Sequence, residues 1–262
     1  MTIKKIIMAR TAALLLAVIL PVALYAHDMW FEMKDFKIAK GSAMECTYPS
    51  DHAFPSKNKE FVPAERISKS YLIAPSGAVI PIAPAGNNLN RSAQKLAQAG
   101  SYLAVSGKKW TYWVKTTEGF IEGKNKSQVK NPLQGIYSAK FSKAIVTVEK
   151  PGGSMFSKII GHELEIVPLK DPATLSKGDV LPVKVIFKGK PAEMAVKATH
   201  DGYSSRSNVF AETIKTNQKG LGEIKISKKG KWLLQTGCTE KSADTRLYDE
   251  KMYAATLTFQ IQ

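Results

Sequence analysis

The chain has 262 residues, 44% of them hydrophobic, with two cysteines, four histidines and a formal charge of +16. That apolar share fills one large core or two ordinary ones, which excludes a chain short of core. The positive charge gives solvated lysine faces that keep the protein soluble, or a weak contact with an anionic membrane surface.

Lys4, Lys5 and Arg10 precede an apolar run from Thr11 to Leu20, followed by Pro21 and the small residue Ala26. This is the pattern of a cleaved secretory signal peptide over residues 1–26. Pro21 interrupts the segment, which falls short of the ~20 apolar residues of a spanning helix. The leader holds three basic and no acidic side chains, so its removal takes the formal charge from +16 to +13. A periplasmic location is expected, and nucleic acid is excluded as a partner there. Neither cysteine stands at the cleavage point, so no lipid anchor is expected. Cutting after Ala26 frees an α-amine on His27, whereas cutting after Ala23 leaves Leu24, Tyr25 and Ala26 in front of it.

From His27 to Glu32 nothing has helical spacing, and Trp30 with Phe31 reads as the anchor of a short edge strand. Residues 42–48 read as a strand running into a loop where Pro49 and Pro55 fence Asp51 and His52. Strands over 67–74 and 78–82 flank Pro75-Ser76-Gly77 and form a hairpin. Leu89, Ala93, Leu96 and Ala97 have near-helical spacing, so a short helix or helical turn is expected within 87–99, closed by Gly100. The aromatic-rich runs 101–106 and 110–116 predict a second hairpin around Gly107, and 118–134 reads as a basic loop. A helical turn over 137–143 and a strand over 144–148 lead to the Pro151-Gly152-Gly153 break. The joint between a β-rich domain over 27–160 and a second domain over 161–262 is placed there, and the two strand sets are expected to keep separate cores and sheets.

In the second domain Leu164 and Ile166, then Leu181, Val183, Val185 and Phe187, then Met194, Val196 and Ala198 recur at every second residue, the period of half-buried strands. Further strands over 209–216, 221–227, 231–236 and 252–262 bring the count to that of a β-sandwich. Gly220-Leu221-Gly222 lies in a hairpin turn before a strand, with no helix following to hold a phosphate.

Three of these stretches carry a resemblance. The run Glu165-Ile166-Val167-Pro168-Leu169-x-Asp171-Pro172, then Gly178-Asp179-x-Leu181-Pro182-Val183-x-Val185, then Gly189-Lys190-Pro191 resembles domain-of-unknown-function family 4198, whose members are labelled NikM-like. Residues 216–233 and 253–259 match it too, as does His52-Ala53-Phe54-Pro55. The resemblance implies an all-β protein of two tandem β-sandwich domains, immunoglobulin-like or transthyretin-like. It also implies a periplasmic protein that binds nickel or cobalt and delivers it to a membrane metal-uptake transporter.

Metal candidates follow from the few ligating side chains. His27, once first in the chain, offers its amine and imidazole as a chelate, and His52 has the Asp51 carboxylate beside it to orient the ring or to ligate. His162 at the joint and His200 beside Asp201 are ligand candidates that serve equally as packing residues. Cys238 stands where the family pattern carries a histidine; its thiolate would ligate nickel, copper or zinc, and a disulfide with Cys46 would remove it. Asp28, Glu32 and Asp51 are the local negative offsets in a basic body. No nucleophile elbow, paired zinc-protease histidines or phosphate loop is present, so an enzyme is not expected. Three alternatives stay open. One is a periplasmic copper protein using the N-terminal histidine, with Met29, Met33 and Met44 for Cu(I). Another is a copper-dependent oxidative enzyme on the same residue. The last is a non-metal structural or adhesive module using Trp110, Tyr112 and Trp113.

Overall fold

The computed structural model describes residues 27–58 and 60–262; the leader expected over 1–26 lies outside them. Among the described residues the regular structure is β-strand with four short 3-10 turns, and no helix is long and apolar enough to cross a membrane. The all-β sandwich class is therefore met, and its physical source is the two-residue hydrophobic alternation along the chain.

Two long strands, Gly100–Thr116 and Gln134–Val148, pair antiparallel and form the spine. On one side the sheet continues through Tyr71–Ile73, Val79–Gly86, Leu89–Ser92, Glu45–Thr47 and Glu32–Met33. On the other it continues through Glu250–Ile261, Gly230–Lys241, Ala195–His200 and Glu212–Lys215. A four-stranded sheet of Leu164–Pro168, Val180–Phe187, Lys190–Pro191 and Leu221–Lys225 covers this second wing.

The expectation of separate sheets on either side of the Pro-Gly-Gly break is corrected here. Gln134–Val148, which precedes the break, pairs parallel with Glu250–Ile261, the last strand of the chain. The reason lies in the 144–148 run, where Ala144, Ile145 and Val146 are apolar at successive rather than alternate positions and so bury both faces. Ala144, Val146 and Val148 enter a core built from the N-terminal strands, with Phe31, Met33, Cys46 and Leu72. Ile145 points the other way, into a core with Leu181, Val185, Trp232 and Phe259. Leu72 and Ala104 share the first core while Ile73, Leu103 and Val105 share the second, so the spine is a wall between two cores.

Three local expectations also change. Gly107 is not a turn but an interior position of one strand, where a Cβ would collide with the Lys140 carbonyl oxygen; glycine serves the close approach of two backbones. The 87–99 helix is replaced by a strand, Leu89–Ser92, because Asn87 and Asn88 take φ values of 45° and 63° and close a two-residue hairpin turn. The 118–134 loop contains a strand, Gly119–Glu122, folded back on Gly100–Thr116, and the helical turn expected over 137–143 is part of the spine.

Candidate metal centre

Asp28–Met29 pairs antiparallel with Ser50–Asp51, with Asp28 opposite Asp51. That register brings His27, just before one strand, beside His52, just after the other. The two imidazoles meet edge to face with ring centroids 4.6 Å apart.

The segment carrying His27 is fixed by hydroxyls from distant strands. Ser142 and Thr256 donate to the Met29 carbonyl at 3.0 and 2.8 Å, and Thr258 donates to the Phe31 carbonyl at 3.0 Å. Trp30 packs edge-on against Phe54, and its indole N–H donates to Glu32.

Asp51 organises the loop that carries His52. Its Oδ1 accepts the backbone N–H groups of His52 and Ala53 and the Asn58 side-chain amide, while Oδ2 accepts the Ser56 hydroxyl and the N–H groups of Lys57 and Asn58. Burial acts to raise the Asp51 pKa, but these donors prevail and hold it at about 2. Both oxygens are thus taken up by the loop. Asp51 positions His52, and the expectation that it ligates directly does not fit its surroundings. Glu32 has a similar task, accepting the Ser56 N–H at 3.2 Å as well as the Trp30 indole.

His52 has a buried Nδ1 that takes no hydrogen bond from the described residues. Burial, and then the neighbouring His27, lower its pKa from the ordinary value, which favours the neutral ring that a metal ligand must be. His27 is the more open of the two, with its Nδ1 3.6 Å from a Glu60 carboxylate oxygen. Both rings border a cavity of about 260 Å³ whose other walls include Lys108, Lys140, Trp113 and Phe120. Behind it Asp28, which accepts from the Gln235 side chain, and Lys140 are buried together. Burial pushes the Asp28 pKa up and the Lys140 pKa down, and their mutual attraction opposes both shifts.

The other sequence candidates lie elsewhere. His162 packs against Phe141 with ring centroids 5.0 Å apart, and burial pushes its pKa down to about 4. His200 sits between Trp232 and Tyr203, its Nδ1 2.9 Å from the Asp201 carbonyl oxygen. Cys46 is buried in the N-terminal core and Cys238 packs against the other; both are free thiols, so the disulfide candidate is not formed in this structure. Burial raises their pKa values to about 12 and about 11, far from the thiolate form that ligates metals. Among the described residues no three His, Cys, Asp or Glu side chains converge as a metal-binding group. The site is a histidine pair, and in a chain that starts at His27 its third nitrogen would be the α-amine.

The model of the domain of unknown function DUF4198 matches residues 24–240. The chain belongs to the DUF4198 family. A search of curated proteins found no match. Among solved structures the DUF4198 chain is similar to the D0-D1 domain of intimin, at 13% identity over 89% of this chain and 98% of that one, with a TM-score of 0.22. It is similar also to murine CEACAM1b, at 6% identity over 90% of this chain and 99% of that one, with a TM-score of 0.23. Fibronectin(III)-like modules of Clostridium thermocellum CbhA match at 10% identity over 92% and 93% of the two chains, with a TM-score of 0.20. All three are loose likenesses.

The sequence reading missed Glu60, Lys108 and Lys140, and it gave the threonines of the last strand no role. Thr256 and Thr258 do alternate with Leu257 and Phe259, yet both are buried, because the segment carrying His27 lies across them. The available signal was the choice of threonine, whose hydroxyl can donate to a covering backbone.

Proposed function

We propose that this DUF4198 protein is an exported transition-metal carrier that holds one ion between His27 and His52. Nickel or cobalt is the cargo implied by the family resemblance, and a membrane uptake transporter is the recipient. The observation that carries the reading is the meeting at 4.6 Å of two imidazoles that flank separate strands, on the border of a cavity and with one ring nitrogen buried and unmatched. Neutral imidazole suits nickel, cobalt and copper alike. An all-nitrogen set favours copper as the second reading, since Cu(II) binds such donors most tightly among divalent first-row ions. Met29, Met33 and Met44 are core residues, so they do not supply a Cu(I) site.

The structure divides the three aromatic residues named for the adhesive alternative. Trp110 and Tyr112 both stack on Tyr137, at 4.8 and 4.4 Å, and stay partly exposed. Trp113 faces the cavity instead, with the Lys108 amine over its ring.

The test is a proton NMR titration of the exported protein with Ni(II), Co(II) and Cu(II), together with the intact mass of its N-terminus. A start at His27 and selective perturbation of the His27 and His52 ring signals is expected. Perturbation of His162 or His200 instead, or of none, overturns the reading.

A further inference from the structure

The cavity beside the histidine pair has an unusual charge pattern for a site that receives a cation. Lys108 and Lys140 are cross-strand partners on the spine and both line the cavity. Like charges directly opposite each other destabilise a strand pair. A slip in strand register next to Lys140 keeps Lys108 and Trp113 on one side, although they are an odd number of positions apart and would face opposite ways in an unbroken strand. The backbone irregularity therefore gathers cations at this wall. Arg66 adds a third, and its ion pair with Glu122 is shared by Lys108, whose Nζ lies 2.8 Å from the same carboxylate. Asp28 is the carboxylate behind Lys140. Arg66 and Lys108 thus share the one carboxylate of Glu122, while Lys140 lies near Asp28. Burial lowers the Lys108 pKa to about 8, which an incoming anion would reverse.

The remaining walls are apolar apart from Ser50 and Ser138. Trp113, Ile136 and Met252 form the floor, and Phe120, 46% exposed on its short strand, stands at the rim. At about 260 Å³ the space is below the range of drug-sized pockets and suits a small flat molecule.

We infer that this cavity binds a small organic carboxylate with an apolar or aromatic body, its carboxylate toward Lys108 and Lys140, its ring beside Trp113 and Phe120, and a second donor atom on the metal held by His27 and His52. The inference rests on the metal reading above and deepens it: the cargo is a metal–carboxylate complex, whose negative group offsets the positive wall that a bare dication would meet.

Picolinate, which pairs a carboxylate with a ligating ring nitrogen, is a suitable probe, and picolinamide is its uncharged counterpart. Nickel is first titrated alone into the exported protein, then each probe into the nickel-loaded protein, by calorimetry. Picolinate is expected to bind about tenfold or more tightly than picolinamide. Lys108→Met and Phe120→Ala should each weaken picolinate by about tenfold while leaving the affinity for nickel alone within about threefold. Glu122 keeps Arg66 in the first variant, and Phe120 is exposed, so the second preserves the fold. Equal binding of the two probes, indifference to both substitutions, or removal of nickel by picolinate overturns the inference while leaving the metal reading in place. Failure of nickel to bind in the first titration overturns both.

Discussion

His52 and His162 have the same local anatomy and different prospects. Each has a buried Nδ1 without a hydrogen-bond partner, and each lies near a buried lysine and carboxylate, Lys140 with Asp28 for one and Lys143 with Glu165 for the other. Around His162 the neighbours are satisfied among themselves. Lys143 and Glu165 form an ion pair at 2.9 Å, Glu165 also accepts the N–H groups of Ile160 and Gly161, and Phe141 fills the space beside the ring. Around His52 a second imidazole replaces the phenyl ring, and a cavity replaces the closed contact. What separates a ligand candidate from a packing histidine is therefore whether a second donor and open space adjoin the unmatched nitrogen.

The largest effect should come from breaking the closed side of this comparison. Lys143→Ala leaves Glu165 charged and buried without its partner, which should cost about 3–5 kcal/mol in urea unfolding without moving metal affinity. If metal affinity falls with stability, the two regions are not independent.

Next in size is the acid response of His162. Its pKa is about 4 in the folded protein against the ordinary 6.5, so the unfolded chain takes up the proton first as pH falls. Its contribution is fully present above pH 6.5 and is lost on descending toward pH 4. The total is on the order of 3 kcal/mol. His162→Phe should flatten that part of the stability-against-pH curve, measured by urea midpoints across the window; an unchanged slope would show that other groups carry it.

Asp51→Asn sharpens the open side. Losing the charge that gathers the loop's N–H donors should cost about 2 kcal/mol, and a loosened His52 should weaken nickel binding even though no ligand is removed. Rescue by Asp51→Glu is not expected, because the longer side chain cannot reach the same six donors.

Much of this was legible in the residues. The alternation at Leu181, Val183 and Val185, the Pro75-Ser76-Gly77 hairpin and the strand at the C-terminus all stand where the sequence put them. His27 and His52 were named from their chemistry, and the structure joins them. What the sequence could not show were consequences of long-range pairing. Gly107 gives the same letter whether it turns a chain or lets another backbone approach, and only the Lys140 carbonyl decides it. The parallel pairing of Gln134–Val148 with Glu250–Ile261 joins segments more than a hundred residues apart, which no local period records. The role of Asp51 as an anchor rather than a ligand depends on where six donor groups from five residues of its own loop turn.

The central claim, that one metal ion is held by His27 and His52, is tested most directly by calorimetric titration of nickel, cobalt and copper into the chain starting at His27 and into its His27→Ala, His52→Ala and His162→Ala variants. We expect a single site, weakened about tenfold or more (on the order of 1.4 kcal/mol) by either of the first two substitutions and by less than about threefold by the third. Equal affinity across all four proteins, or a loss confined to His162→Ala, would contradict it.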